Sequence, residues 1–183
     1  MKRTFAVVAV VATAMVLHVT RPDVPPPGSD CEHIAAGALR QPDNAATSMA
    51  LIFTGLALSG SAQTSRRLVG SGVLLAGVAS TLAHATLHPV ALAADGAAVA
   101  AALLLTALAL ARSRVQPWRI AAAVFLGAGA STLWILSRSG RPLCDPGAFV
   151  NGHAVWHVLV ALAAVVGALS LTDRNVSPKR ARK

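Results

Sequence analysis

The chain is poor in charge and in aromatic rings. Of its 183 residues only 13% are charged and 4% aromatic, and tyrosine is absent. A soluble globular domain carries about 25% charged residues, so an ordinary water-facing surface cannot be built from this composition. The scarcity of rings removes the stacking platform on which nucleic acid is usually held. Acids are few as well: seven Asp and Glu stand against 16 Lys and Arg, for a formal charge of +9. That excess does not imply a nucleic-acid partner, because the basic residues are dispersed over loops and a tail between apolar runs. No internal repeat and no pair of broken helices is visible, which argues against a transporter.

What the chain does have is apolar length. Hydrophobic residues make up 55% of it, in runs comparable with the roughly 20 residues that cross a bilayer. The expectation is an all-α, polytopic transmembrane helix bundle of about six spans. The runs are Phe5–Val19, Ala45–Gly60, Leu68–His84, Val90–Ala111, Trp118–Ser137 and Val150–Leu171. The third stops near Pro89, which cannot continue the hydrogen-bond ladder. With both termini cytoplasmic, only Arg21, Arg40, Arg138 and Arg141 of the 16 basic residues fall on the other side. This asymmetry obeys the positive-inside rule. Residues 1–20 read as an uncleaved membrane anchor, with a cleaved signal peptide as the alternative. Residues 21–173 form the bundle, and 174–183 a basic cytoplasmic tail able to meet anionic lipid. The expected location is the plasma membrane.

The same topology puts Cys31 and Cys144 outside the cytoplasm. An even count there suggests a disulfide, with two unpaired thiols as the alternative. It also gathers five ionisable groups near the outer surface: His84, His88, Asp95, His153 and His157. Such groups are costly in a membrane and need a partner, a metal or a function. Ser80 and His84 are four residues apart, as are His153 and His157, so each pair shares a helix face. Three imidazoles, from His84, His153 and His157, with one open position make a catalytic zinc arrangement. Zinc acidifies a water in such a site. Asp95 is placed to take a proton from that water or orient it, and Ser80 to assist at a developing oxyanion. His88 reads as a loop residue before Pro89, and His18 and His33 as interfacial or loop residues. Each group also has a plainer reading: Asp95 as a helix-terminal charge, Ser80 as a small packing residue, and His153 as an interfacial ring.

These residues resemble the alkaline ceramidase family and its wider superfamily of membrane hydrolases (CREST). That family carries Ser-x-x-x-His on an early helix, an Asp opening the next, and His-x-x-x-His on the last. Ser80 and His84, Asp95, and His153 and His157 stand in that order here. The stretch from Ser80 to Leu87 is similar to the family, as is the lead-in with Cys31, Glu32, Arg40 to Asn44, and Ser48. The resemblance implies zinc on the three histidines, water activation by Asp95, assistance from Ser80, and a Cys31–Cys144 disulfide. It implies hydrolysis of an amide or ester bond in a lipid. The family core has seven helices, whereas this chain offers five after Cys31, and of the acidic cluster that holds calcium in some members it keeps only Asp30 and Glu32.

Two other readings compete. Paired histidines on facing helices also hold b-type haem, although that leaves Ser80 and Asp95 without a role. A non-catalytic membrane scaffold with a structural metal site is the other, given the many small residues that let helices pack closely. The partners expected are membrane lipids as substrate; a homo-oligomer is left open.

Overall fold

The computed structural model describes residues 30–148 and 150–174. The anchor expected over 1–20 and the tail from residue 175 onward lie outside the described residues. Among the described residues five helices follow one another: α1 (Pro42–Ser59), α2 (Thr64–Thr86), α3 (Pro89–Arg112), α4 (Pro117–Leu136) and α5 (Gly152–Leu169). Two three-residue strands, β1 (Ser113–Val115) and β2 (Leu171–Asp173), extend α3 and α5. Among the described residues the fold is all-α apart from this small ladder, which the apolar pattern did not announce, and one isolated bridge between Asp30 and Arg138.

Three helices begin on a proline: Pro42, Pro89 and Pro117. Proline suits the first helical position, where its missing N–H is not needed. This is why the helices start one to three residues before the apolar runs suggested. α2 ends at Leu87, whose φ of 51° is left-handed and whose N–H closes back on Ala83. The His88 ring then caps α3 by accepting from the Val90 amide at 3.2 Å.

Four of the helices, α2 to α5, are long and apolar enough to cross a membrane. α1 falls short of them because its first turns carry Asp43, Asn44, Thr47 and Ser48. Asn44 and Ser48 are fully buried in the bundle. Glu32 caps α1, accepting from the amides of Asp43 (2.7 Å) and Asn44 (2.9 Å). Burial pushes the Glu32 carboxyl above its ordinary range, opposed by these two amides. Both its oxygens are thereby spent on a helix terminus.

α2 is the central helix. It packs on α1 and α3, and more lightly on α5; α1 also packs on α5, and α4 packs on α5. The α1–α2 approach is close enough to demand glycine: a Cβ at Gly70 would lie 2.5 Å from the Ser59 amide nitrogen, and one at Gly77 2.7 Å from that of Ile52. α3 and α4 have no comparable contact with each other. Large side chains such as Phe125 and Leu103 stand outward, as expected of lipid-facing surface.

Successive helices run in opposite directions, so the bundle has two ends. One holds the starts of α1, α3 and α5 and the end of α2. The Cys31–Cys144 disulfide closes this end, with Cα atoms 5.4 Å apart. The other end carries the β1–β2 ladder and Arg66, Arg67, Arg112, Arg114, Arg119 and Arg174. There Asp173 accepts from the Thr64 amide (2.8 Å), the Ser65 amide (3.0 Å) and the Ser65 hydroxyl. β2 thus supplies the cap that the α2 sequence lacks.

Candidate metal centre

His84 lies in the last turn of α2, and His153 and His157 in the first two turns of α5. The antiparallel packing brings all three together. Each is buried, and one ring nitrogen from each lies within 4.8 Å of the others. The rings cross edge to face, with centroids 4.8 Å (His84–His153), 5.3 Å (His84–His157) and 4.5 Å (His153–His157) apart.

The tautomers follow from the neighbours. Thr47 Oγ1 donates to the Asp43 carbonyl at 2.8 Å, one turn back on α1. Its lone pair is therefore what faces His157 Nδ1 at 3.1 Å, and Nδ1 carries the proton. His84 Nδ1 meets Gln41 Oε1 at 2.8 Å, while Gln41 Nε2 donates to the Asp30 carbonyl at 3.4 Å. The Asp30 carboxylate stands 3.3 Å from His153 Nδ1, an ion-pair contact whose angle falls short of a hydrogen bond. All three Nδ1 atoms thus face acceptors, which leaves the Nε2 lone pairs for an ion. His84 Nε2 and His153 Nε2 face each other at 3.0 Å. Two unprotonated nitrogens that close repel unless a cation lies between them. A tetrahedral zinc with bonds of about 2.0–2.1 Å separates its nitrogens by about 3.3–3.4 Å, close to this spacing. A carboxylate, an amide and a hydroxyl behind three imidazoles are the outer partners that orient metal ligands. The residues present fit a divalent ion.

Haem does not fit the same rings. Axial ligands stand on opposite faces of a porphyrin, and Nε2 atoms 3.0 Å apart leave no plane between them.

Ser80 and Asp95 are both near the cluster, in different ways. Ser80 Oγ is 3.1 Å from His157 Nε2 and 3.3 Å from Ser48 Oγ. Asp95, in the second turn of α3, lines a cavity of about 80 Å³ together with Ser80 and Trp156. Its Oδ1 is buried without a hydrogen-bond partner. Among the described residues no hydrogen bond or ion pair joins Asp95 to the histidines. His88 caps α3 and His33 is exposed, both outside the cluster.

Sequence reasoning missed the outer partners Gln41 and Thr47, and read Asp30 only as a remnant of a calcium site. Asp30 instead faces His153 and accepts from the Trp134 indole N–H at 3.3 Å. Burial pushes its carboxyl upward, against the pull of His84, of the Trp134 N–H and of Arg138. Two of the three tryptophans, Trp134 and Trp156, wall the cluster, Trp156 stacking on His153 at 5.2 Å. In a chain so short of rings, a Trp inside the His153–His157 step was the available signal.

Comparison with protein-family models, with curated proteins and with solved structures finds no match. Fold and site together define a class: a helix bundle with several membrane-length helices that buries a three-histidine cluster suited to a divalent metal ion.

Proposed function

We propose that the chain is a zinc-dependent membrane hydrolase, similar to the alkaline ceramidases, that cleaves an amide or ester bond in a lipid near the non-cytoplasmic face of the plasma membrane. The observation that carries this reading is the convergence of three buried histidines, one ring nitrogen from each within 4.8 Å of the others, with every Nδ1 facing an acceptor. Zinc bound there supplies a Lewis acid able to polarise a carbonyl and acidify a water. In the overall reaction the carbonyl carbon gains the water oxygen and loses its bond to nitrogen or oxygen. The water's protons end on the acid and on the amine or alcohol.

The chain's own groups fill the remaining roles. Asp95 Oδ1, buried and unpaired, accepts the proton that a water gives up. Ser80 Oγ, between His157 and the cavity, donates toward the substrate oxygen. Trp156 and the apolar wall exclude bulk water. Asp30, Gln41 and Thr47 keep the Nδ1 protons in place, so the ligating nitrogens stay free.

The test is metal analysis of detergent-purified protein prepared without added zinc, comparing wild type with His157→Ala. About one zinc per chain in the wild type and a loss in the variant is expected. Equal metal in both refutes the site. Release of a fatty acid from extracted membrane lipids by the wild type, abolished in Asp95→Asn with zinc retained, separates a hydrolase from a structural metal scaffold.

A further inference from the structure

At the end of the bundle opposite the metal centre, positive charge is gathered on one face of the β1–β2 ladder. The strands pair in the register Ser113↔Asp173, Arg114↔Thr172 and Val115↔Leu171. The Arg174 amide donates to the Arg112 carbonyl at 3.2 Å, which carries the pairing one step further. Successive residues of a strand point to opposite faces. One face therefore holds Ser113, Leu171 and Asp173, and the other Arg112, Arg114, Thr172 and Arg174. Burial agrees with this division: Ser113 and Leu171 are buried, whereas the three arginines and Thr172 are exposed.

Asp173 does not neutralise the arginines. It is turned to α2, where the Thr64 and Ser65 amides and the Ser65 hydroxyl occupy its carboxylate. Among the described residues it is the only acid at this end; Asp30, Glu32, Asp43, Asp95 and Asp145 all lie in the half nearer the disulfide. Side chains opposite each other on paired strands start about 4.5–5.5 Å apart, and like charges there destabilise the pairing. An anion between them removes that repulsion. Arg174 gives its Nε to the Ser113 carbonyl at 3.0 Å. Its two terminal amino groups are left to donate elsewhere, and guanidinium forks match phosphate oxygens.

The surroundings select the anion. Along α3 the exposed side chains pass from Leu104 and Leu108 to Arg112 within about two turns. At the start of α4 Trp118 is 66% exposed, with the Arg119 guanidinium 5.0 Å from its ring. An exposed Trp at the end of a membrane-length helix marks the level of the lipid headgroups. Lipid phosphates stand at that level, with their chains against the outward leucines.

We propose that the arginine face of the β1–β2 ladder binds the phosphate of an anionic membrane lipid through Arg112, Arg114 and Arg174. The bound headgroup joins the end of α3 to the end of α5 and offsets the repulsion within the ladder. This site depends neither on the hydrolase reading nor on the basic tail.

The full chain in neutral detergent is titrated with phosphatidylglycerol, with phosphatidylcholine and with inorganic phosphate. Bound lipid is counted by native mass spectrometry and the melting temperature is recorded. Saturable binding of about one phosphatidylglycerol per chain, tighter than phosphatidylcholine, is expected, with a rise in melting temperature because the ligand binds the folded state. An arginine beside an anionic lipid surface contributes about fivefold. Arg112→Gln and Arg114→Gln should each weaken binding by about that factor and together by about 25-fold. Arg141→Gln, at the disulfide end, should not weaken it. If the double variant does not fold, Arg114→Gln alone decides by the same measure. Binding that does not saturate, equal affinity for phosphatidylcholine, or unchanged affinity in the arginine variants means that these charges serve orientation only and overturns the site. Displacement of the lipid by inorganic phosphate at equal concentration overturns the choice of a lipid. Loss of binding when Lys179, Arg180, Arg182 and Lys183 are replaced by glutamine, with the ladder intact, assigns the lipid to the tail and overturns it as well.

Discussion

Replacing Asp30 by alanine removes one carboxylate from the disulfide-bearing end of the bundle and with it the group that faces His153. Its carboxylate faces His153 Nδ1 at 3.3 Å and accepts the Trp134 N–H at 3.3 Å. Its backbone carbonyl, which alanine keeps, receives Gln41, whose Oε1 holds His84 at 2.8 Å, so His84 should stay in place. The side-chain loss frees the His153 ring to rotate or to place its proton on Nε2, where no ion can then bind. Loss of an outer partner of a metal ligand typically weakens metal affinity by about 10–100-fold, which is about 1.4–2.8 kcal/mol. Asp30→Asn keeps an oxygen for the Nδ1 proton and should fall at or below the low end of that range. The assay is zinc competition against a chelator of known affinity, on detergent-purified protein with the disulfide intact and the melting temperature recorded. An Asp30→Ala protein that melts like the wild type and holds zinc as tightly refutes the tautomer argument. Arg114→Ala, at the opposite end, should leave affinity unchanged; an equal loss there would reduce the Asp30 effect to general destabilisation.

The Cys31–Cys144 bond closes a loop with a sequence separation of 113, for which the chain-entropy account gives about 4.7 kcal/mol. Membrane insertion already restricts the unfolded chain, so the measured fall in stability on reduction should be smaller, read as a lower melting temperature. Reduction should also speed zinc loss to a chelator, because Cys31 anchors the adjacent Asp30. At the other end, the Ser65 hydroxyl and the Thr64 and Ser65 amides hold the Asp173 carboxyl below its ordinary 3.8. Its stabilising effect is complete above that ordinary value and is lost as pH falls through the lower folded one. Asp173→Asn should flatten the acid limb of a stability-versus-pH curve, and an unaltered limb would refute the cap. Gly70→Val forces a Cβ to within 2.5 Å of the Ser59 amide nitrogen and should cost about 3 kcal/mol, the upper end of overpacking. Gly127→Ala, with open space around its Cβ position, should leave the melting temperature the same or raise it.

Much of the architecture was legible because a membrane span is a composition signal. Four apolar runs became the four membrane-length helices, with starts displaced by one residue where Pro89 and Pro117 begin them. The histidine set was legible because ionisable groups stand out in such runs. The disulfide was legible from topology alone. The β1–β2 ladder was not, since Ser113–Val115 and Leu171–Asp173 are too short to show alternation and pair across 58 residues of sequence. Nor were the acceptors behind the histidines. Asp30, Gln41 and Thr47 sit 123, 43 and 110 positions from the rings they face, and nothing local marks them.

The weak apolarity of α1 and the definition of the metal centre have one physical origin. Ser48 and Gln41 are fully buried, in a bundle where each unsatisfied polar group costs several kcal/mol; the Asn44 side chain, also buried, has no hydrogen-bond partner and enters only through its backbone carbonyl. A helix whose only task was packing would carry Leu or Ala there and read as a clean span. α1 instead spends its first turns on a relay: the Asp43 carbonyl fixes the Thr47 hydroxyl, and that hydroxyl fixes the His157 proton. The Asn44 carbonyl takes the Ser48 hydroxyl at 2.7 Å, so Ser48 turns a lone pair toward His157 Nε2 at 3.3 Å rather than a proton. An ion drawn to that nitrogen therefore meets no competing hydrogen from Ser48. Thr47→Val keeps the shape and removes the acceptor. It should leave the melting temperature near that of the wild type while loosening zinc, whereas a packing role would predict the reverse.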